Sequence, residues 1–292
     1  MATLAKQAAP GREDTGKGDA RRDADHESFL THKRFRWLWI ALLVSGASIA
    51  GYAMIDVEPR HNGGTWYGYI LGTIGLLLIL WLSLLGIRKR AMTEGSWSLK
   101  AWTSAHVYLG LALIVIGTLH TGFQVGWNVH TLAYALMLLV IISGVYGIWV
   151  YSRLPKPLSN NRGEMTRGMM VESLAALDRQ LESAAQPLGR EDSDLVIAAL
   201  NQDTFRAGLI ARLSGKRPGC KTSRALARLS SGGEAEEKVR GLLERRMEQL
   251  VQIRRHMRYK ALLEVWLFIH IPATIALIAA LIAHVVSVFY YW

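Results

Sequence analysis

The sequence predicts an all-α protein, an integral membrane bundle of five transmembrane helices with a cytoplasmic helical insertion between the fourth and the fifth. Three observations carry this expectation. Five windows of about twenty residues are almost wholly apolar, the length a helix needs to cross the hydrocarbon core of a bilayer. Lysine and arginine concentrate in alternate connections between those windows. One long polar segment, 152–261, is punctuated by turn formers and carries apolar residues at helical spacing. The composition agrees: 51% of the residues are hydrophobic while the net charge is +11. Soluble domains rarely combine the two, whereas apolar spans separated by basic segments do.

Taken in order, residues 1–33 are rich in Gly, Ala, Asp and Arg without apolar periodicity and read as a disordered cytoplasmic tail. They hold no apolar stretch ending in a cleavage site, and their acidic residues argue against an organelle transit peptide, so the first span is expected to stay as an uncleaved anchor. The transmembrane block 34–151 holds four spans, at about 37–55, 66–87, 102–123 and 130–151. The insertion 152–261 follows, and the fifth span occupies 262–292, ending in the interfacial cluster Phe289-Tyr290-Tyr291-Trp292. The N-terminal flank, the loop 88–101 and the insertion are basic; the loop 56–65 has Arg60 as its one basic residue, and the loop 124–129 has no formal charge. Positive-inside counting then puts the N-terminus in the cytoplasm and the C-terminus outside, in the periplasm if the membrane is a bacterial inner membrane.

The insertion begins with Leu154-Pro155-Lys156-Pro157 and continues with amphipathic patches at 169–181, 195–213 and 234–259, the last expected to run directly into the fifth span. It has no glycine-rich phosphate loop and no dinucleotide fingerprint. A solvated, membrane-flanking helical hairpin and a docking surface for a partner are both open readings. The lone Cys220 excludes an internal disulfide, a cysteine-held iron–sulfur cluster and a C-x-x-C-H attachment of a c-type haem; it is expected to be incidental. No nucleic-acid partner is expected.

Four of the nine histidines fall inside spans. His106 and His120 lie on the third, His270 and His284 on the fifth, and each pair is fourteen residues apart with a tryptophan four residues before its first member. Fourteen residues are just under four turns, so both histidines of a span share one face, about 21 Å apart along the axis. The third and fifth spans cross in the same direction, which pairs His106 with His270 near the cytoplasmic side and His120 with His284 near the outer side. Two stacked imidazole pairs are what two hexacoordinate haems need, one axial nitrogen from each side. Polar groups at this depth are costly and are functional candidates by default. The alternative for each is a structural histidine bonded to a neighbouring helix.

Small residues in register with the ligands, Gly110, Gly117, Ala273 and Ala280, could make room for a planar macrocycle; close helix packing uses such residues too. Pro272 is expected to bend the fifth span. His130 and His61 are candidates to meet a haem propionate or a quinone, and Glu264, Tyr108 and His130 are weak candidates for a quinone site. His26, His32 and His256 are expected to be solvated. Arg36, Lys100, Arg153 and Lys260 could answer propionates, although positive-inside placement explains them equally well.

On His106, His120, His270 and His284, placed on two spans separated by one other, the sequence resembles the bis-histidine di-haem membrane cytochromes b. That broad group takes in the membrane domain of ferric reductases and NADPH oxidases and the cytochrome b of quinol–cytochrome c reductases. Ligands on the third and fifth spans are most similar to the ferric-reductase-like order, and the likeness covers somewhat under half of the chain. The runs His120-Thr121-Gly122-Phe123 and Ser143-Gly144-Val145-Tyr146-Gly147 look like bacterial cytochrome b subunits of multi-subunit redox complexes. Neither a flavin and nicotinamide domain nor the Pro-Glu-Trp-Tyr quinol-site motif is present in these residues.

The resemblance implies that the four histidines are axial ligands of two haems b. It implies an electron-transfer subunit, rather than a self-sufficient enzyme, working between a quinone pool or inner-side donor and an outer redox partner. Iron–sulfur, flavin or c-type cytochrome subunits would be its partners, beside the lipid bilayer. Two other classes stay open: a proton or metal transporter or channel with intramembrane histidines, and a cofactor-free scaffold subunit.

Overall fold

The computed structural model describes residues 29–58, 60–91, 98–153, 163–202, 208–215, 219–230 and 232–290. The expected tail, His26, the Leu154–Pro157 turn and the terminal pair Tyr291 and Trp292 lie wholly or mostly outside them. Among the described residues every regular element is a helix. In chain order these are α1 (His32–Met54), α2 (Trp66–Ala91), α3 (Leu99–Thr121), α4 (Val129–Ser152), α5 (Gly163–Ala185), α6 (Arg190–Leu200), α7 (Leu209–Ser214), α8 (Lys221–Arg228) and α9 (Glu234–Tyr290). Five of them, α1 to α4 and α9, are long and apolar enough to cross a membrane by length and composition. Two compact units result, one made of Met1–Ile141 with Ala276–Trp292 and the other of Ile142–Ile275.

The first unit is built on α3. Ser98 starts that helix by accepting a hydrogen bond from the Ala101 amide on its side-chain oxygen. Gly122, left-handed at φ 57°, ends it after Thr121, two residues short of the expected boundary, because a glycine takes that conformation without strain. Ala105, Leu109, Ala112, Leu113, Ile116 and Leu119 recur three and four residues apart and are buried. Ala105, Leu109, Ala112 and Leu113 pack with Ala41 of α1, Ile79 and Leu82 of α2, Met137 of α4 and Leu277 of α9, while Ile116 and Leu119 pack with Tyr67 and Leu71 of α2. α1 and α2 are tied by the Tyr67 hydroxyl, which donates to the Ser48 carbonyl at 2.7 Å across Gly51. Leu43, Leu77 and Ile282 stay mostly exposed, so the outward faces are apolar and compatible with contact to lipid.

The second unit has its own core. Leu174, Leu177 and Leu181, the expected apolar stripe of α5, are buried. Leu181 packs with Val196 and Ala199 of α6, Ala225 of α8 and Val239 and Leu243 of α9. The patch expected at 195–213 is not one helix: α6 ends at Leu200 and α7 starts after Gly208, since Asn201 and Gly208 favour helix termini over interiors. Arg240 donates to the carbonyls of Leu226 and Leu229 at 3.3 and 3.1 Å and so caps the end of α8. Arg246, only 1% exposed, holds Asp178 at 2.7 Å and donates to the Thr222 hydroxyl.

One expectation about this unit is corrected. His256 is 7% exposed, not solvated, because it shares the side of α9 that buries Ile253. Cys220 is buried too, next to Leu174, Leu250 and Ile253, and Arg254 donates to its sulfur at 3.0 Å. Burial pushes that thiol up, but the Ser223 amide, the Arg254 guanidinium and the Thr222 amide together bring it below its ordinary value.

α9 runs unbroken from the polar segment into the last apolar span, as expected. Pro272 lies inside it, where it supplies no N–H for the Phe268 carbonyl. Two residues on, the Thr274 hydroxyl donates to the His270 carbonyl at 2.8 Å.

Replacing Arg246 with alanine strands the Asp178 carboxylate and the Thr222 hydroxyl in this core. The loss should be about 3 kcal/mol, read as a lower midpoint of chemical unfolding followed by far-ultraviolet circular dichroism. Asp178→Ala should be at least as damaging, since it leaves the more deeply buried partner uncompensated.

Candidate functional site

All four spacing-matched histidines are half-buried, and each has its Nδ1 engaged. In the first unit, His106 Nδ1 donates to the Leu82 carbonyl at 3.1 Å and His120 Nδ1 donates to the Gly68 carbonyl at 2.8 Å. A carbonyl can only accept, so the proton of each neutral ring sits on Nδ1 and the lone pair on Nε2. His284 Nδ1 lies 2.6 Å from His130 Nδ1, again within the first unit. In the second unit, His270 Nδ1 lies 2.8 Å from the Ser143 hydroxyl. Engagement of one ring nitrogen by a neighbour is how proteins orient an imidazole whose other nitrogen binds a metal.

The outer pair of the sequence reading comes together. The ring centroids of His120 and His284 are 6.0 Å apart, with the planes at 84°. A nitrogen–metal bond to a first-row ion is about 2 Å, so two rings bound end-on to one ion have centroids about 6 Å apart. The observed centroid spacing is of that size. His106 belongs to the first unit and His270 to the second, and each is oriented within its own unit as described. Among the described residues no group of three or more His, Cys, Asp or Glu converges to hold a metal ion by itself.

The glycines divide between two uses. A Cβ on Gly110 would meet nothing within 4 Å, which leaves open space one turn beyond His106. A Cβ on Gly117 would lie 2.6 Å from the Met137 methyl, so that gap is filled by helix packing. The close approach to His120 comes instead from α2 and the loop before it: a Cβ on Gly72 would lie 2.7 Å from His120 Cε1, and one on Gly63 3.4 Å. Beside His270, a Cβ on Gly144 would lie 3.6 Å from Cε1, and Gly147 lets α4 pass against the Trp266 indole. Ala273 and Ala280 are both buried.

The other candidates make contacts of their own. The Tyr108 hydroxyl donates to the Leu30 carbonyl at 2.9 Å, and Glu264 is paired with Arg212 at 3.1 Å. His61 stacks on Tyr52, with centroids 4.1 Å apart. Arg36 and Arg153 lie over the rings of Trp37 and Trp149. Sequence reasoning missed Gly63, Gly68 and Gly72, the Leu82 carbonyl, the Ser143 hydroxyl and the pairing of His130 with His284. A serine or histidine on the next helix could have been suspected from composition, whereas a backbone carbonyl leaves no mark in a sequence.

Gly72→Ala should press on the His120 ring and lower the thermal midpoint, overpacking costing about 1–3 kcal/mol. Gly110→Ala, entering open space on a helix, should be neutral or stabilising by up to about 1 kcal/mol. Melting curves of the two variants in one detergent make the comparison.

Comparison with protein-family models, with curated proteins and with solved structures finds no match to this chain.

Proposed function

We propose that the protein is a di-haem b-type cytochrome subunit that carries electrons across a membrane. The observation that carries the reading is the shared treatment of four histidines in an apolar setting. Each has Nδ1 engaged by a neighbouring group, and for His106 and His120 a carbonyl acceptor leaves the lone pair on Nε2. The 6.0 Å spacing of His120 and His284 supports one axial pair directly. The matching His106/His270 pair rests on the fourteen-residue register that both helices repeat.

On this reading α1 to α4 and the last part of α9 cross the bilayer, with the N-terminus and the segment 152–261 on the cytoplasmic side and the C-terminus in the periplasm of a bacterial inner membrane. The distribution of basic residues supports that orientation. Haem b, when bound, supplies one-electron exchange. The chain's part is to hold each iron between two imidazoles, to fix those imidazoles through Nδ1 and to exclude water with apolar helices. His106 and His120, fourteen residues apart on α3, mark two positions about 21 Å apart. The two together span most of a hydrocarbon core of about 30 Å. Donor and acceptor are then other redox subunits or a quinone, exchanging electrons at the two faces.

A second reading has one observation in its favour: the 2.6 Å contact of His130 with His284 could pass a proton. In that case the protein would be a transporter or channel subunit without a cofactor.

The two readings separate in the spectrum of the purified protein, reduced with dithionite minus air-oxidised. The cytochrome reading expects a sharp b-type α band at about two haems per chain. His284→Ala should lose one haem before the other. Folded protein made with haem available, yet without colour, would overturn the cytochrome reading.

A further inference from the structure

His130 is the third histidine at the His120/His284 pair and stands outside the fourteen-residue register. It sits at the second position of α4, where the turn before it is tightly built: Asn128 accepts from the Thr131 amide at 2.9 Å and the Thr131 hydroxyl accepts from the Gly126 amide at 3.0 Å. That turn fixes where the His130 ring can reach. Its Nδ1 lies 2.6 Å from the Nδ1 of His284, with the rings nearly perpendicular at 87° and centroids 4.6 Å apart. Two Nδ1 atoms in contact cannot both donate and cannot both accept.

We propose that His130 is the positioning residue of His284, accepting the Nδ1–H of that ring so that Nε2 of His284 is held as the axial donor. The proposal rests on the haem reading and deepens it at one site. Its logic is tautomeric. For His284 to offer a lone pair on Nε2, its proton must sit on Nδ1, and His130 must then accept on Nδ1 and keep its own proton on Nε2. With the roles reversed, His284 would carry its proton on Nε2 and present no lone pair there. The other three histidines of the set use a carbonyl or a hydroxyl at this position; His284 uses an imidazole, a stronger base. A stronger acceptor on Nδ1–H makes Nε2 a better electron donor, which favours the oxidised iron. The His120/His284 haem is thereby set to a lower midpoint potential than a carbonyl-bonded ligand would give.

The test uses the full chain in lipid nanodiscs as wild type, His130→Ala, His130→Asn and His284→Ala. Haem per chain, the low-spin electron paramagnetic resonance signals and the two midpoint potentials are measured. The expected result for His130→Ala is one shifted low-spin signal and one raised midpoint, the other haem being unchanged. The affected haem should also be lost to apomyoglobin about tenfold or more faster. His130→Asn, whose amide oxygen can accept from Nδ1–H, should bring signal and midpoint back toward wild type. Signals and midpoints unchanged in His130→Ala would overturn the proposal. So would identical behaviour of the alanine and asparagine variants, which would make the role one of packing. A haem kept by His284→Ala but lost from His130→Ala would overturn it as well, by making His130 the ligand. Wild-type protein without haem would instead sink the cytochrome reading itself, a result distinct from every variant outcome.

Discussion

An imidazole removed from water has to find its hydrogen bonds in the protein, and the arrangement around the four histidines follows from that constraint. α2 approaches α3 closely enough for the Leu82 and Gly68 carbonyls to accept from His106 and His120. That approach needs the glycine at position 72, because any side chain there would press on the His120 ring. The same demand is met on α4, where Ser143 and Gly144 together give His270 a hydroxyl and the clearance to reach it. Polar satisfaction and small residues are thus one requirement seen from two sides.

The two compact units bury different kinds of group. In the first, the core around α3 is made mainly of Ala, Leu and Ile, with Met137 beside them. In the second, a leucine-rich core is interrupted by Arg246, held by a carboxylate and a hydroxyl, and by a thiol in contact with Arg254. A buried guanidinium is tolerable only when its donors are answered, so Asp178 and Thr222 fix the register of α5 and α8 against α9 more tightly than leucines could.

Much of the fold was legible because a span needs about twenty apolar residues and this chain concentrates them in discrete runs. The expected first residue of α2 and the expected bounds of α4 to within one residue coincide with the structure. The last span likewise continues the charged helix before it without a break, as the unbroken helical pattern from 234 onward implied. The 195–213 patch failed: apolar spacing persisted across Asn201 and Gly208, and the local preference for termini prevailed. At the site, the histidine register was visible, being a matter of period. His256 and the partners of each Nδ1 were not, because they depend on which helix lies alongside, and on backbone atoms that every residue carries alike.

α9 holds Val239, Leu243 and Arg246 near one end and His270 and His284 toward the other, on a single run of 57 residues. Such a helix keeps angular phase. Each residue turns it by about 100°, so one residue gained or lost in the stretch between Arg246 and His270 would rotate His270 by more than a quarter turn against the leucine face. Here only changes close to a whole number of turns, such as about seven or eleven residues, would restore the bearing. The stretch is therefore fixed in length as well as in composition, and natural variation should reach it as substitution and not as insertion.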